Sequence, residues 1–406
     1  MSSGFVFSEL INFPGLSYGK LKLSWARLGN DAPVLSTTNV FTRETPNVNL
    51  NQPQFTISDT QNNPNIKPEL SVAYEAGIEL GLFDNFINLE TTYYERKTVD
   101  QILPVPLSAT TGFARFINNS GEVKNSGFEV VLGLNNILSN SSNVRWDLDV
   151  NFYKNQSKVI SVPEGLEEII IGYGYWNSTK LVARPGYPLG TFIGNGYKRD
   201  NEGQLLLNDN GYPQIEEDQI LGNYNPDYIL NFINAVSFDN FTLSANFEIK
   251  QGGRLYNDAE ISWIYSGLSA TTGERFYSAD NSNANATRVF DGIIESTGQK
   301  STIAAPLDNT YYHQIYNNID ENFAKDASWL RLRSINLSYE FPTELLKNTF
   351  INRLRITATG RNLWLDTKYK GIDPETGALG AGNIQGFNTI TAPNTKSYGL
   401  NLDINF

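Results

Sequence analysis

The sequence contains no cysteine and a single histidine, His313. Disulfides, thiolate metal centres and cysteine nucleophiles are therefore excluded, and no multi-histidine metal site can be assembled. Charge is scarce: 18% of residues are charged, where about 25% is usual for soluble domains. The balance of 31 basic and 43 acidic residues gives a net charge of −12, which argues against a nucleic-acid partner, since that would need a basic stripe. No run of about 18 apolar residues is present, so no transmembrane helix is expected. The opening MSSGFVFSELINFPGLSYGK lacks the basic start and apolar core of a secretion signal. Carboxylates such as Glu167-Glu168 and Glu216-Glu217 are adjacent, and a strand would point each pair to opposite faces. No nucleophile with a base accompanies them, so the chain is not expected to be an enzyme.

What the sequence does have is rings, glycine and alternation. It carries 21 Tyr, 23 Phe and 33 Gly. SVAYEAGIELGLF places Val72, Tyr74, Ala76, Ile78, Leu80 and Leu82 on one face, with small or charged residues opposite. GFEVVLGLNNI, VRWDLDVNFYKN, DYILNFINAVSF and FTLSANFEIKQG alternate in the same way, with Asn234 interrupting one apolar face. Several runs keep register for about ten residues or more, longer than the usual soluble strand of about 5–6 and matching the span of a tilted membrane strand. Tight turns at the two FDNF segments (83–86 and 238–241) alternate with long connections at 30–68, 101–120, 199–226, 252–327 and 365–393. Short turns on one side and long loops on the other are characteristic of transmembrane β-barrels. The expected fold is thus an all-β antiparallel barrel of about twelve strands in this chain. Two of these, 169–176 and 190–198, are placed in the wall between 157 and 227.

The last residues, TKSYGLNLDINF, set Tyr398, Leu400, Leu402, Ile404 and Phe406 on one face. Chain ends usually fray and are polar, so this apolar face needs a cover. Lipid supplies one, provided the strand's backbone is paired, because an open edge in hydrocarbon costs several kcal/mol per unpaired group.

Arg331, Arg333, Arg353, Arg355 and Arg361 recur on neighbouring strands. Arginine on a lipid-facing surface costs about 2–4 kcal/mol at the midplane, so these are expected to face an aqueous interior. There they either balance carboxylates or guide an anionic solute. In the 252–327 connection, Trp263, Tyr265, Tyr311 and Tyr312 stand among amides and hydroxyls. They would either contact a sugar or a partner, or pack the loop on itself. Tyr173, Tyr175, Trp176 and Trp364 are expected in an aromatic girdle. The segment 206–218 has Asn208, Asn210 and Gly211 spaced as in a calcium loop, but Leu206 occupies the first ligand position and Pro213 intrudes. No cofactor is expected.

NPNIKPELSVAYEAGIELGLFDNFINLETTYYERKTVDQIL, NSGEVKNSGFEVVLGL, LGTFIGNGY, LGNYNPDYILNF, SWLRLRSINLSYEFP and LRITATGRNLWLDTKYKGIDPETG occur in this order along the chain. Together they resemble the C-terminal barrel of SusC/RagA-type TonB-dependent transporters. The resemblance implies a barrel of about 22 strands, of which 1–406 is the C-terminal part. Plug and signal peptide lie outside it, and Met1 is then an internal start, a truncation or a gene-model artefact. It also implies an outer-membrane location, uptake of glycans or peptides, energy from TonB through the plug, and a SusD-like surface lipoprotein over the loops. The terminal aromatic strand would be read by the outer-membrane assembly machinery. A self-closed passive porin or adhesin barrel, and a soluble carbohydrate-binding all-β protein, are the alternatives.

Overall fold

The computed structural model describes all residues except 12, 45–53, 139–142, 176–178, 277–285, 378–381 and 383. In chain order the principal strands are β1 (Ser2–Val6), β2 (Leu16–Asn30), β3 (Glu69–Leu82), β4 (Ile87–Val99), β5 (Glu122–Leu134) and β6 (Val144–Ser161). There follow β7 (Ile169–Tyr173), β8 (Lys180–Ala183), β9 (Thr191–Tyr197) and β10 (Ile215–Asn223), then β11 (Tyr228–Phe238) and β12 (Phe241–Gln251). After helix α1 (Asp258–Tyr265) the series closes with β13 (Trp329–Glu340), β14 (Arg353–Thr367) and β15 (Ser397–Asn405). Eleven of these strands form one antiparallel sheet in the order β1-β2-β3-β4-β5-β6-β11-β12-β13-β14-β15.

Register turns the alternation into two continuous surfaces. One ladder runs Leu80, Leu89, Leu132, Val150, Phe232, Phe247, Leu332 and Trp364, each opposite the next across β3 to β14. One step along the strands, the ladder on the other face runs Gly81, Asn88, Gly133, Asp149, Ile233, Asn246, Ser334 and Arg361. Side chains alternate faces at every residue, so the first ladder belongs to an apolar outer surface and the second to a polar inner one. Asn234 sits on the outer surface between Leu148 and Ala245. The strands match membrane dimensions: β2 has 15 residues and β6 has 18.

The hairpin turns explain why the strands reverse where they do. Phe83, Asp84 and Asn85 take φ of 54°, 56° and 63°, and Asp239 takes 48°. Asp and Asn tolerate this left-handed region because their short side chains bond the local backbone.

Two expectations about the wall are corrected. The segments 169–176 and 190–198 do contain strands, but β7 and β9 lie in a separate four-stranded sheet ordered β7-β8-β9-β10. In the main sheet β6 pairs directly with β11, antiparallel from Val144↔Phe238 to Tyr153↔Ile229. An ascending strand followed by a descending one needs no strand between them, so two of the twelve expected strands leave the main sheet, and with β1 added at its edge it has eleven. Among the described residues, β1 and β15 are the two edges of this sheet and do not pair with each other, so it is not a small self-closed barrel.

The second sheet is part of a compact loop domain at the end of the wall opposite the tight turns. It is assembled from the connections 162–227, 252–328 and 368–396. Phe192, Tyr256, Phe323 and Phe387 are fully buried at its centre, packed with Leu181 and Ile264. Arg254–Asn257 pairs antiparallel with Ala324–Asp326 and parallel with Phe387–Asn388, which ties two connections together. Their rings meet edge-on, with Phe192 and Phe387 centroids 5.4 Å apart.

Candidate functional site on the inner wall

A β-bulge sets the arginine geometry. Leu332 pairs with Trp364 and Ser334 with Arg361, so Asn362 and Leu363 of β14 together stand opposite Arg333. The same residue is skipped against β12, between Asn246 and Phe247. Arg331 and Arg333, two residues apart, share the inner face by alternation, and the extra residue lets Ser334 face inward beside them, so both arginines reach carboxylates on that face. Arg331, 2% exposed, donates from Nη2 to Asp373 Oδ1 at 2.7 Å, and its Nη1 lies 3.4 Å from Glu375. Arg333 donates to Glu375 at 2.6 and 2.7 Å and to Glu248 at 2.5 Å. Asp373 and Glu375 belong to the DPETG turn of the 368–396 connection, where Asp373 Oδ1 also accepts the Glu375 amide at 2.9 Å. Asn388 donates to the Asp373 carbonyl at 2.9 Å. Burial pushes the Glu375 carboxyl up, but the hydrogen bonds and charge of Arg333, with Arg331 beside it, outweigh this and hold it below its usual value. The network therefore clamps a loop onto the wall with bonds between fully charged groups, which are about twice as strong as neutral ones.

The remaining arginines divide. Arg353 and Arg355 both reach Glu340, at 2.7 and 2.9 Å, near the turn end of the wall. Arg361 is exposed on the inner face and has no ion pair among the described residues. Farther along, Lys22 bridges Glu79 and Glu90. Lys250 places its Nζ 4.5 Å from the ring centroid of Trp329. The Tyr94 hydroxyl donates to Asn155 at 3.1 Å, its ring lying over Gly127.

The aromatic residues of the 252–327 connection are placed differently from one another. Tyr311 and Tyr312 are 3% and 2% exposed and belong to the loop core, so of the two alternatives these rings take the one in which the loop packs on itself. Burial pushes the phenols of Tyr311 and Tyr316 up, the latter to about 12. Tyr265 is exposed and stacks on His313 at 4.2 Å, while Trp263 is half-buried. Trp364 stands in the outer ladder, Tyr173 and Tyr175 belong to the loop domain, and Trp176 lies outside the described residues. In the segment 206–218, Asn208 Oδ1 accepts the amides of Asn210 and Tyr212, so its oxygen serves the turn itself. Among the described residues no group of three or more His, Cys, Asp or Glu is placed to hold a metal ion.

On β15, Tyr398, Leu400, Leu402 and Ile404 lie opposite Gly360, Ala358, Ile356 and Leu354, which puts them on the outer face, exposed. The Phe406 ring stacks on Phe350 at 5.5 Å.

Residues 12–363 match the family described as TonB dependent receptor-like, beta-barrel. The chain belongs to this family. TonB-dependent receptor P3 of Formosa agariphila is 26% identical over 373 residues, covering 85% of this chain and 35% of that protein. TonB-dependent receptor SusC of Bacteroides thetaiotaomicron is 24% identical, covering 85% and 32%. Among solved structures, that of the RagAB peptide transporter superposes with a TM-score of 0.73 at 21% identity, covering 99% of this chain and 43% of that one. This TonB-dependent receptor chain therefore spans about a third of the length of the curated relatives it matches. The fold likeness extends through the loop domain as well as the wall, since nearly the whole chain is covered.

The sequence missed the partners. Asp373, Glu375 and Glu248 carry the clamp, and Tyr256 and Asp320 carry the core of the loop domain. The one available signal was GIDPETG, an acidic turn following a long strand.

Proposed function

We propose that this chain forms the C-terminal part of the wall, and the loop domain over its mouth, of an outer-membrane transporter that takes up glycans or peptides. The observation that carries this reading is the unbroken apolar ladder from Leu80 to Trp364 backed by a polar, ion-paired inner face. Such a sheet is stable only with hydrocarbon on one side and an aqueous cavity on the other. In this reading β1 and β15 pair with strands of the rest of the barrel. The outer face of β15, with its terminal phenylalanine, is read during membrane assembly. Energy arrives through TonB and a plug inside the cavity, and a SusD-like lipoprotein covers the loop domain. The wall has no chemical step to perform; it encloses and orients. Family membership and the SusC and RagAB likenesses support this assignment.

The test uses the complete transporter gene in its own host. Its deletion should abolish uptake of labelled oligopeptides or oligosaccharides, and deletion of tonB should do the same, with the protein found in the outer-membrane fraction. Recovery in the aqueous fraction, or uptake indifferent to TonB with steady ion conductance in planar bilayers, would overturn the reading in favour of a soluble protein or a passive pore.

A further inference from the structure

A cavity of about 880 Å³ lies between the inner wall and the loop sheet. Its floor is one surface of the wall. Register sets Ser71 opposite both Leu28 and Thr98, Thr98 opposite Val123, and Arg96 opposite Asn125, all on the polar inner face. Its roof is Ile169 and Ile171 of β7, with Leu189 and Ile384 beside them; Ile169 is 2% exposed and packs with Val123, which leaves the half-buried Ile171 and Ile384 to face the space. Polar floor and aliphatic roof therefore meet at one side of the space, where Val123 of the wall packs on Ile169.

Arg96 sets this cavity apart. Arg331, Arg333, Arg353 and Arg355 all have carboxylate partners, and Arg361, which has none among the described residues, does not line this cavity. Arg96 has none among the described residues, and its recorded hydrogen bond is Nη2 to Ser71 Oγ at 3.3 Å. Ser71 in turn contacts Thr98 at 2.8 Å. The nearby acid, Glu69, is occupied by the Ile102 amide at 2.9 Å and the Asn30 side chain at 3.1 Å. The guanidinium thus presents free donors to the cavity, in a fork that matches a carboxylate. No aromatic ring lines the space among the described residues; the apolar part is aliphatic. Sugars are held by aromatic faces and dense polar contacts, whereas aliphatic side chains suit an aliphatic lining.

We infer that this cavity binds the C-terminal end of a peptide, with Arg96 holding the α-carboxylate and the isoleucine roof covering an aliphatic terminal side chain. The α-carboxylate and the side chain branch from the same carbon, so a ligand of this kind presents its charge and its apolar group side by side, as the floor and roof require. The volume admits several residues. This inference rests on the transporter reading and names the substrate class for it.

The experiment is calorimetric titration of the purified full-length transporter in detergent. Three ligands are compared: Ala-Ala-Ala-Leu with a free carboxylate, the same peptide as its C-terminal amide, and a uronic-acid tetrasaccharide. The acid should bind at least tenfold more tightly than the amide. Arg96→Gln should remove that difference, and Arg96→Lys should keep part of it. Equal binding of acid and amide, no binding of either, or an acid–amide difference that survives Arg96→Gln would overturn the inference. Tighter, Arg96-dependent binding of the uronate would also overturn it while leaving the transporter reading intact; failure of the protein to reside in the outer membrane would remove the latter. Heat-modifiable migration on gels checks that Arg96→Gln still folds, and the acid–amide comparison in the unaltered protein decides the matter if it does not.

Discussion

Arg331 of the wall and Asp373 of the last long connection meet at 2.7 Å with side chains only 2% and 7% exposed. Removing one member of a buried pair leaves the other charge without its counter-ion and shielded from solvent, a loss of about 3–5 kcal/mol. Arg331→Ala should therefore lower the urea midpoint of the full-length protein in micelles and expose the 368–396 connection to protease. Arg331→Met with Asp373→Leu, which removes both charges, should cost far less. Equal damage from the single and double variants would show that shape rather than charge holds the loop.

Gly127 accommodates the Tyr94 ring: a Cβ there would lie 2.2 Å from the tyrosine Cζ. Gly127→Val would force the ring out of its rotamer and break the 3.1 Å bond to Asn155. A destabilisation of about 1–3 kcal/mol is expected, as for other overpacked sites. Tyr94→Ala combined with Gly127→Val should recover part of it, because the clash then has no second party. Unfolding of the two variants side by side measures this.

Asp258 gives the loop domain a pH dependence. Burial pushes its carboxyl up to about 6, against the pull of the Tyr175 amide, and the charge of Asp320 adds to the rise. Asp320 accepts the Tyr256 hydroxyl at 2.5 Å in the same core. An unfolded aspartate titrates near pH 4, so between about pH 4 and 6 the folded domain keeps a proton that the unfolded chain has released. The added stability is complete below the lower value and lost as pH rises through about 6, by roughly 3 kcal/mol at most. Midpoints of the wild type should fall between pH 4.5 and 7.5, and Asp258→Asn should flatten that slope. The carboxyls of Glu321 and Glu375, held below their usual values, lose their contribution on the acid side of this window.

Much of the wall was legible because alternation is a property of each strand alone. β3, β11 and β12 can be read from Val72, Leu80, Phe232 and Phe247 with no knowledge of their neighbours. β7 and β9 were misplaced for the complementary reason. Thr191, Phe192, Ile193 and Gly194 are buried on both faces, so the period that separates wall from cavity is missing there. The clamp was half legible. Arginines on a strand imply an aqueous side, but the bulge at Arg333 exists only in the pairing with β12 and β14. Its carboxylates stand 42 and 85 residues away along the chain. The buried Tyr311 and Tyr312 look in sequence like any exposed loop ring, because burial there is decided by Phe290 and Tyr316 folding around them.

The extra residue at position 333 also fixes how this hairpin would tolerate evolutionary change. Loss of that one codon would leave residues 334–340 in phase with β12, because Leu332 and Ser334 already face its consecutive residues Phe247 and Asn246, whereas a codon lost farther along would turn the residues beyond it inside out. With the codon for residue 335 lost, Asn336 and Ser338 would be thrust into hydrocarbon while Leu337 and Tyr339 met water. A gap at position 333 should therefore cost the wall one arginine and no register against β12, while gaps in the residues that follow should be absent.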